Sequence, residues 1–203
     1  VARREAFAPQ CAAPAELEPS LNVDRAVLAA MLKWPDVPAV FGWLALTARG
    51  QWRLRGEPIA NRAIVEFIGR NYAADARGRW YFQNGPQRVY AELEAAPWVY
   101  RLDPAQRLLT HTELRPRALH AAALLDDGRF VFATELGCGL LDDRDGAALL
   151  RAAGPALERL LEGDGAASLD PAAFRLQGRA RRIERLRFDE LPERFGFVRA
   201  PAP

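Results

Sequence analysis

Apolar positions along the chain come in short bursts, separated by turns rich in glycine, asparagine, aspartate and proline. Residues 1–19 are the exception. Pro9, Pro14 and Pro19 sit there among alanines and charges without periodicity, which reads as an extended arm. Ser20 or Asn22 is placed to cap a helix to Lys33, with Val27, Leu28, Met31 and Leu32 as its buried stripe. Trp34-Pro35 and Val37-Pro38 then stop it. Residues 43–46 and 51–55 flank Thr47-Ala48-Arg49-Gly50 as a hairpin. In its second arm Trp52 and Leu54 alternate with Gln51, Arg53 and Arg55, giving one buried and one wet face. Asn61 is a cap for a helix to Tyr72 with Ile64, Ile68 and Tyr72 at helical spacing. Asn84-Gly85 joins residues 79–83 to 87–93 in a second hairpin, and Pro97 precedes a strand over 98–102.

The same order of elements returns. Residues 108–112, 119–125 and 130–134 read as strands, and a helix over about 145–162 breaks at Gly154-Pro155. Residues 174–177 and 183–188 read as short strands. The expected fold is therefore α+β: two similar halves, each of antiparallel strands plus one packed helix, suggesting a structural repeat. The side chains do not repeat detectably, so duplication is an expectation about structure alone. The expected layout is an arm over 1–19, a first half over 20–104 and a second over 105–203 with a basic end.

Composition narrows the chemistry more than it names it. The 203 residues carry 28 basic and 26 acidic side chains, a formal net charge of +2, so no global field points to nucleic acid. Lys33 is the only lysine, and the two cysteines, Cys11 and Cys138, build neither a disulfide framework nor a four-thiolate site. No apolar run approaches bilayer length and no cationic leader precedes one, so the expectation is a cytoplasmic protein without a membrane partner.

Familiar catalytic patterns are missing. Ser20 and Ser168 lie outside any nucleophile elbow, and the lone lysine is not in a phosphate loop. His111 and His120 are nine positions apart, a spacing that does not aim two imidazoles at one ion. Asp142-Asp143-Arg144-Asp145-Gly146 fails the calcium-loop spacing. No cofactor or metal is implied. One thiol stands out: Cys138, between Gly137 and Gly139, is either a nucleophile with His111 or His120 as base, or a small buried hydrophobe at a tight backbone crossing. The arginines at 175, 179, 181, 182, 185, 187, 194 and 199 are either a weak nucleic-acid surface or the solvated side of an amphipathic element.

The densest polar-aromatic stretch runs through Asn71 and Tyr72, then from Trp80 to Tyr90. Val89, Ala91 and Leu93 alternate with Arg88, Tyr90 and Glu92, so the latter three face away from the core. A tyrosine and an arginine on such a face can stack a planar group and hold an anion in a guanidinium fork. Asn71, Gln87, Arg88, Tyr90 and Trp98 are thus the expected site for a small molecule or peptide. The competing reading is a sheet face stabilised by its own cross-strand pairs.

Gly42-Trp43, Gly50-Gln51-Trp52, Gly56-Glu57-Pro58-Ile59, a helix, then Gly78-Arg79-Trp80-Tyr81-Phe82, Gly85-Pro86-Gln87-Arg88-Val89-Tyr90 and Pro97-Trp98 form an ordered series. In this layout the chain resembles proteobacterial proteins of unknown function and is similar to domain-of-unknown-function family twelve-eighty-five. The resemblance spans about residues 34–102 and departs at Asn84-Gly85-Pro86-Gln87, where a Thr-Pro type turn is expected. It implies an α+β fold with repeated motifs and a role in signalling or ligand sensing, and it carries over no catalytic residues. The expected function is a non-enzymatic ligand-binding or regulatory module. The alternatives are a cysteine enzyme using Cys138 with His120 and a weak nucleic-acid binder.

Overall fold

The computed structural model describes residues 23–153, 175–176, 179–180 and 183–203. The arm over 1–19, the caps expected at Ser20 and Asn22, and Leu157, Leu160 and Leu161 lie outside these residues. Helix α1 (Arg25–Lys33) starts after Asp24. Of its expected stripe only Val27 is buried, and Leu32 is 87% exposed, because the helix meets the body of the protein along a narrow contact near Gly85.

The first sheet takes β1 (Val40–Leu46), β2 (Trp52–Leu54), β3 (Glu57–Pro58), β4 (Tyr72–Ala74), β5 (Trp80–Asn84) and β6 (Gln87–Leu93) in the order β3-β2-β1-β6-β5-β4. Both expected hairpins form, and Gly85 takes the positive φ of +58° that its turn requires. Helix α2 (Arg62–Arg70) crosses between β3 and β4, with Asn61 accepting hydrogen bonds from the amides of Ala63 and Ile64. It stops before Tyr72. Tyr72 becomes the first residue of β4, because its ring is needed against Trp52, Trp80 and Trp98 in the core.

The second sheet takes β7 (Trp98–Leu102), β8 (Leu108–Thr110), β9 (Leu119–Leu125), β10 (Phe130–Thr134), β11 (Gly137–Leu141) and, past the hairpin of β12 (Arg175–Leu176) and β13 (Arg179–Ala180), β14 (Ile183–Leu186). Its order is β14-β9-β10-β11-β7-β8. A 3-10 turn over Asp143–Asp145 leads into α3 (Gly146–Ala153), and α4 (Leu191–Phe195) follows β14.

The two halves share one topology. In each, a hairpin is followed by a three-stranded meander whose last strand returns beside the first strand, parallel to it: β6 beside β1, β11 beside β7. Superposing the ladders by register sets Ala91 against Gly139, Leu44 against Trp98 and Tyr81 against Ala133. The halves differ in the crossover, which is α2 in the first and residues 111–118 in the second.

The sheets meet through rings. Tyr72 lies 5.0 Å from Trp52, 4.9 Å from Trp80, 5.4 Å from Trp98 and 6.2 Å from His111, centroid to centroid. The Trp98 indole N–H donates to the carbonyl of Leu136 at 2.7 Å. Gly50 and Gly69 let this junction close: a Cβ on the first would stand 2.7 Å from Cβ of His111, and on the second 3.1 Å from Thr112. Residues 196–202 then leave α4 and run back onto the first sheet. Val198 bridges Arg79 in parallel, the Arg199 carbonyl accepts from the Leu93 amide at 2.8 Å, and the Arg199 guanidinium donates to the Glu94 carbonyl at 2.6 Å.

Candidate functional site

Alternation decides which side chains of the first sheet look outward. Leu44, Leu46, Trp52, Phe82, Val89, Ala91 and Leu93 fill the core side. Their neighbours Trp43, Ala45, Arg53, Tyr81, Arg88, Tyr90 and Glu92 therefore occupy the other face. Part of that face is sealed. The Tyr90 ring stacks on Phe41 at 4.5 Å and 4°, the Arg79 guanidinium lies 4.6 Å above it, and its hydroxyl accepts from Arg79 and donates to Asp75. Burial alone would raise the Asp75 carboxyl, but bonds from Arg79, Tyr90 and Arg77 hold it below the usual carboxylate range.

The rest of the face is open. β1 bulges here, spending four residues from Val40 to Leu44 against two on β6, with Gly42 at φ +72°. Trp43 is left 45% exposed, with the Arg55 guanidinium stacked 3.7 Å over its ring. Arg88 is exposed and lies 4.8 Å from the Tyr81 ring centroid. Arg53, also exposed, faces Ala45, which in turn faces Glu92. Among the described residues none of Arg53, Arg55 and Arg88 forms an ion pair. Flat rings carrying unneutralised guanidinium groups can stack planar groups and fork carboxylates.

A family model described as "Protein of unknown function (DUF2946)", under the family name DUF2944, matches residues 23–202. The chain belongs to this family. Two solved structures are similar to it: a DUF1285 family protein from Silicibacter pomeroyi DSS-3 (15% identity, 56% of this chain and 70% of that one, TM-score 0.44) and a DUF1285 family protein from Shewanella baltica OS155 (15% identity, 50% and 85%, TM-score 0.40). The resemblance drawn from the glycine, tryptophan and proline motifs is to the same DUF1285 proteins. No curated protein matches the chain.

In this member of DUF2944 the five residues expected to form one site are dispersed. Arg88 and Tyr90 do share the outer face, as alternation requires, but Tyr90 is 3% exposed and its stacking partner is Phe41. Gln87 sits at the start of the strand and donates to the Pro38 carbonyl. Asn71 is fully buried: its side-chain oxygen accepts from the Asp24 amide and its nitrogen donates to the Phe67 carbonyl. Trp98 belongs to the ring junction between the sheets. Trp43, Arg53 and Arg55, outside the five expected residues, are exposed on this face, and the alternation of Arg53 and Arg55 with Trp52 is the sequence signal for the two arginines.

The thiol and the second histidine do not meet. Cys138 is buried on β11, whereas His120 is exposed at the irregular end of β9, with β10 between the two strands. Gly139 shows the tight crossing, since a Cβ there would stand 2.7 Å from the Trp98 carbonyl oxygen. Native protein is therefore expected to resist iodoacetamide at Cys138 while unfolded protein is alkylated, with peptide mass spectrometry as the measure. Rapid native labelling of Cys138 would contradict this packing.

The remaining charged clusters are internally matched. Asp142 is buried and held near 2, chiefly by its paired bonds from Arg144. Arg101 pairs with Asp145, and Arg49 with Asp143. Of the terminal arginines, Arg187 pairs with Asp189, Arg194 with Glu184, and Arg199 caps Phe188 and bonds backbone carbonyls. Arg175, Arg179, Arg181 and Arg182 have side chains outside the description. Among the described residues no cluster of histidine, cysteine and carboxylates could hold a metal, and no helix is long and apolar enough to cross a membrane.

Proposed function

We propose that the protein is a non-catalytic recognition module with a regulatory or signalling role in the cytoplasm, taking a small molecule or peptide on the outer face of its first sheet. One comparison inside the molecule carries this reading. By register, Glu92 corresponds to Leu140, Arg88 to Leu136, Ala45 to Val99, and Tyr90 to Cys138. In the second half that face is apolar and closed: Val99, Val131, Ala133, Cys138 and Leu140 are all buried. In the first half the same sheet presents exposed charge and a half-exposed tryptophan. A fold that buries this surface once and leaves it open once, with guanidinium groups that form no ion pair among the described residues, has a surface suited to a partner.

A thermal-shift screen of organic anions and short peptides against wild type, Arg88→Ala and Trp43→Ala tests it. At a ligand concentration a hundredfold above Kd, binding adds about 2.7 kcal/mol. That raises Tm by about 5–10 °C in a chain of this size. The shift is expected to shrink in both variants. A ligand that stabilises all three proteins equally would place the site elsewhere.

A further inference from the structure

We infer that the partner is an extended acidic peptide segment, with carboxylates four residues apart and an apolar or flat side chain midway between them; this rests on the recognition reading above. Arg53, Ala45 and Glu92 lie in one row across β2, β1 and β6. Two strand steps separate the ends of that row, about 10 Å. Arg88 stands four residues from Glu92 along β6, a further rise of about 13 Å. The backbone positions of Arg53 and Arg88 are thus about 16 Å apart on the diagonal; carboxylates four residues apart in an extended chain share one face at about 13 Å, and the two arginine side chains span the rest.

Trp43 lies on β1 between these two ends, two residues from Ala45 in the direction of the β1–β6 pairing at Val89. Its ring is half exposed and already carries Arg55 on one face. An apolar or planar side chain in the middle of the segment would cover it. Glu92, exposed at the corner of the row, opposes a carboxylate placed beside it, so acidic groups are favoured opposite Arg53 and Arg88 and not next to Glu92. Among the described residues the patch holds three guanidinium groups against one carboxylate, which selects an anionic partner over a basic one.

Fluorescence anisotropy with a labelled pentapeptide tests this, using glutamate at the first and last positions, leucine in the middle and serine elsewhere, so that the three side chains share one face. One control peptide replaces both glutamates by glutamine, and another sets them side by side. The spaced acidic peptide is expected to bind at least about tenfold tighter than the glutamine version at low salt, and to weaken as salt rises. Arg53→Ala and Arg88→Ala should each weaken it by about fivefold, with thermal melts unchanged because both side chains are exposed. Equal binding of all three peptides, or equal affinity in wild type and both variants, overturns the inference. Amide NMR shifts recorded with the same peptide and with citrate separate the two claims. Perturbation of 43–55 and 88–92 by citrate alone rejects the acidic segment and leaves the recognition face standing. Perturbation by neither rejects both.

Discussion

Lowering the pH from 7 to 4.5 is expected to remove about 2–3 kcal/mol of folding stability, through one buried imidazole. His111 is packed among Trp52, Tyr72 and Trp98, and burial pushes its pKa down to about 3 from 6.5. Its Nδ1 already accepts the Val99 amide at 3.3 Å, so the neutral ring carries its proton on Nε2, which meets no described acceptor. A second proton would set two donors face to face and strand a charge among rings. The folded state therefore stays neutral while the unfolded chain takes up a proton below pH 6.5. Stability is complete above that value and declines by about 1.4 kcal/mol per pH unit toward pH 3. Asp75, Asp103, Asp127 and Asp142 are all held below the usual carboxylate value, and their contribution is lost progressively from about pH 5 downward. The interval from 6.5 to about 5 thus isolates the histidine. Urea titrations across it should slope in wild type and stay level in His111→Leu, which loses the acceptor for Val99 but no titrating group. A level wild-type profile would show that the imidazole is not sequestered.

Gly139→Ala is expected to cost about 3 kcal/mol, whereas Gly146→Ala should be neutral or stabilising by up to about 1 kcal/mol. The added Cβ at 139 would stand 2.6 Å from Cε2 of Tyr100 and 2.7 Å from both Cβ and the carbonyl oxygen of Trp98. Two of those atoms belong to rings or stems locked in the core, and the third is backbone of the parallel partner strand. At Gly146, the first residue of α3, nothing lies within 4 Å. Urea midpoints that move equally for the two variants would mean that β7 and β11 do not approach as closely as described.

Local signals read well from the sequence because they are local. Asn84-Gly85 and Thr47–Gly50 dictate their turns, Asn61 its cap, and the alternation over 87–93 its two faces. The pairing of β6 with β1 and of β11 with β7 was not legible, since nothing near Val89 or Leu140 advertises a strand roughly forty to fifty residues earlier. β11 itself was missed: Gly137-Cys138-Gly139 looks like a loop until its partners are known, and only the crowding by Trp98 and Tyr100 explains its two glycines. The candidate site was half legible. Arg88 stands where the pattern put it, but Tyr90 was claimed by Phe41, whose approach depends on a bulge centred on Gly42. Asn71 and Trp98 looked available because polarity and aromaticity do not reveal which neighbours a long-range contact will supply.

The return of residues 196–202 to the first sheet has a consequence for the order of events in the cell. The partners of Gly78, Arg79 and Leu93 are supplied by Val198 and Arg199, more than a hundred positions later. During synthesis the opening half emerges long before its last backbone bonds have anything to bind to. A chain made only to residue 150 would hold the hairpin and meander of each half but no clasp, and its first sheet would lack those bonds until residues 196–202 are made.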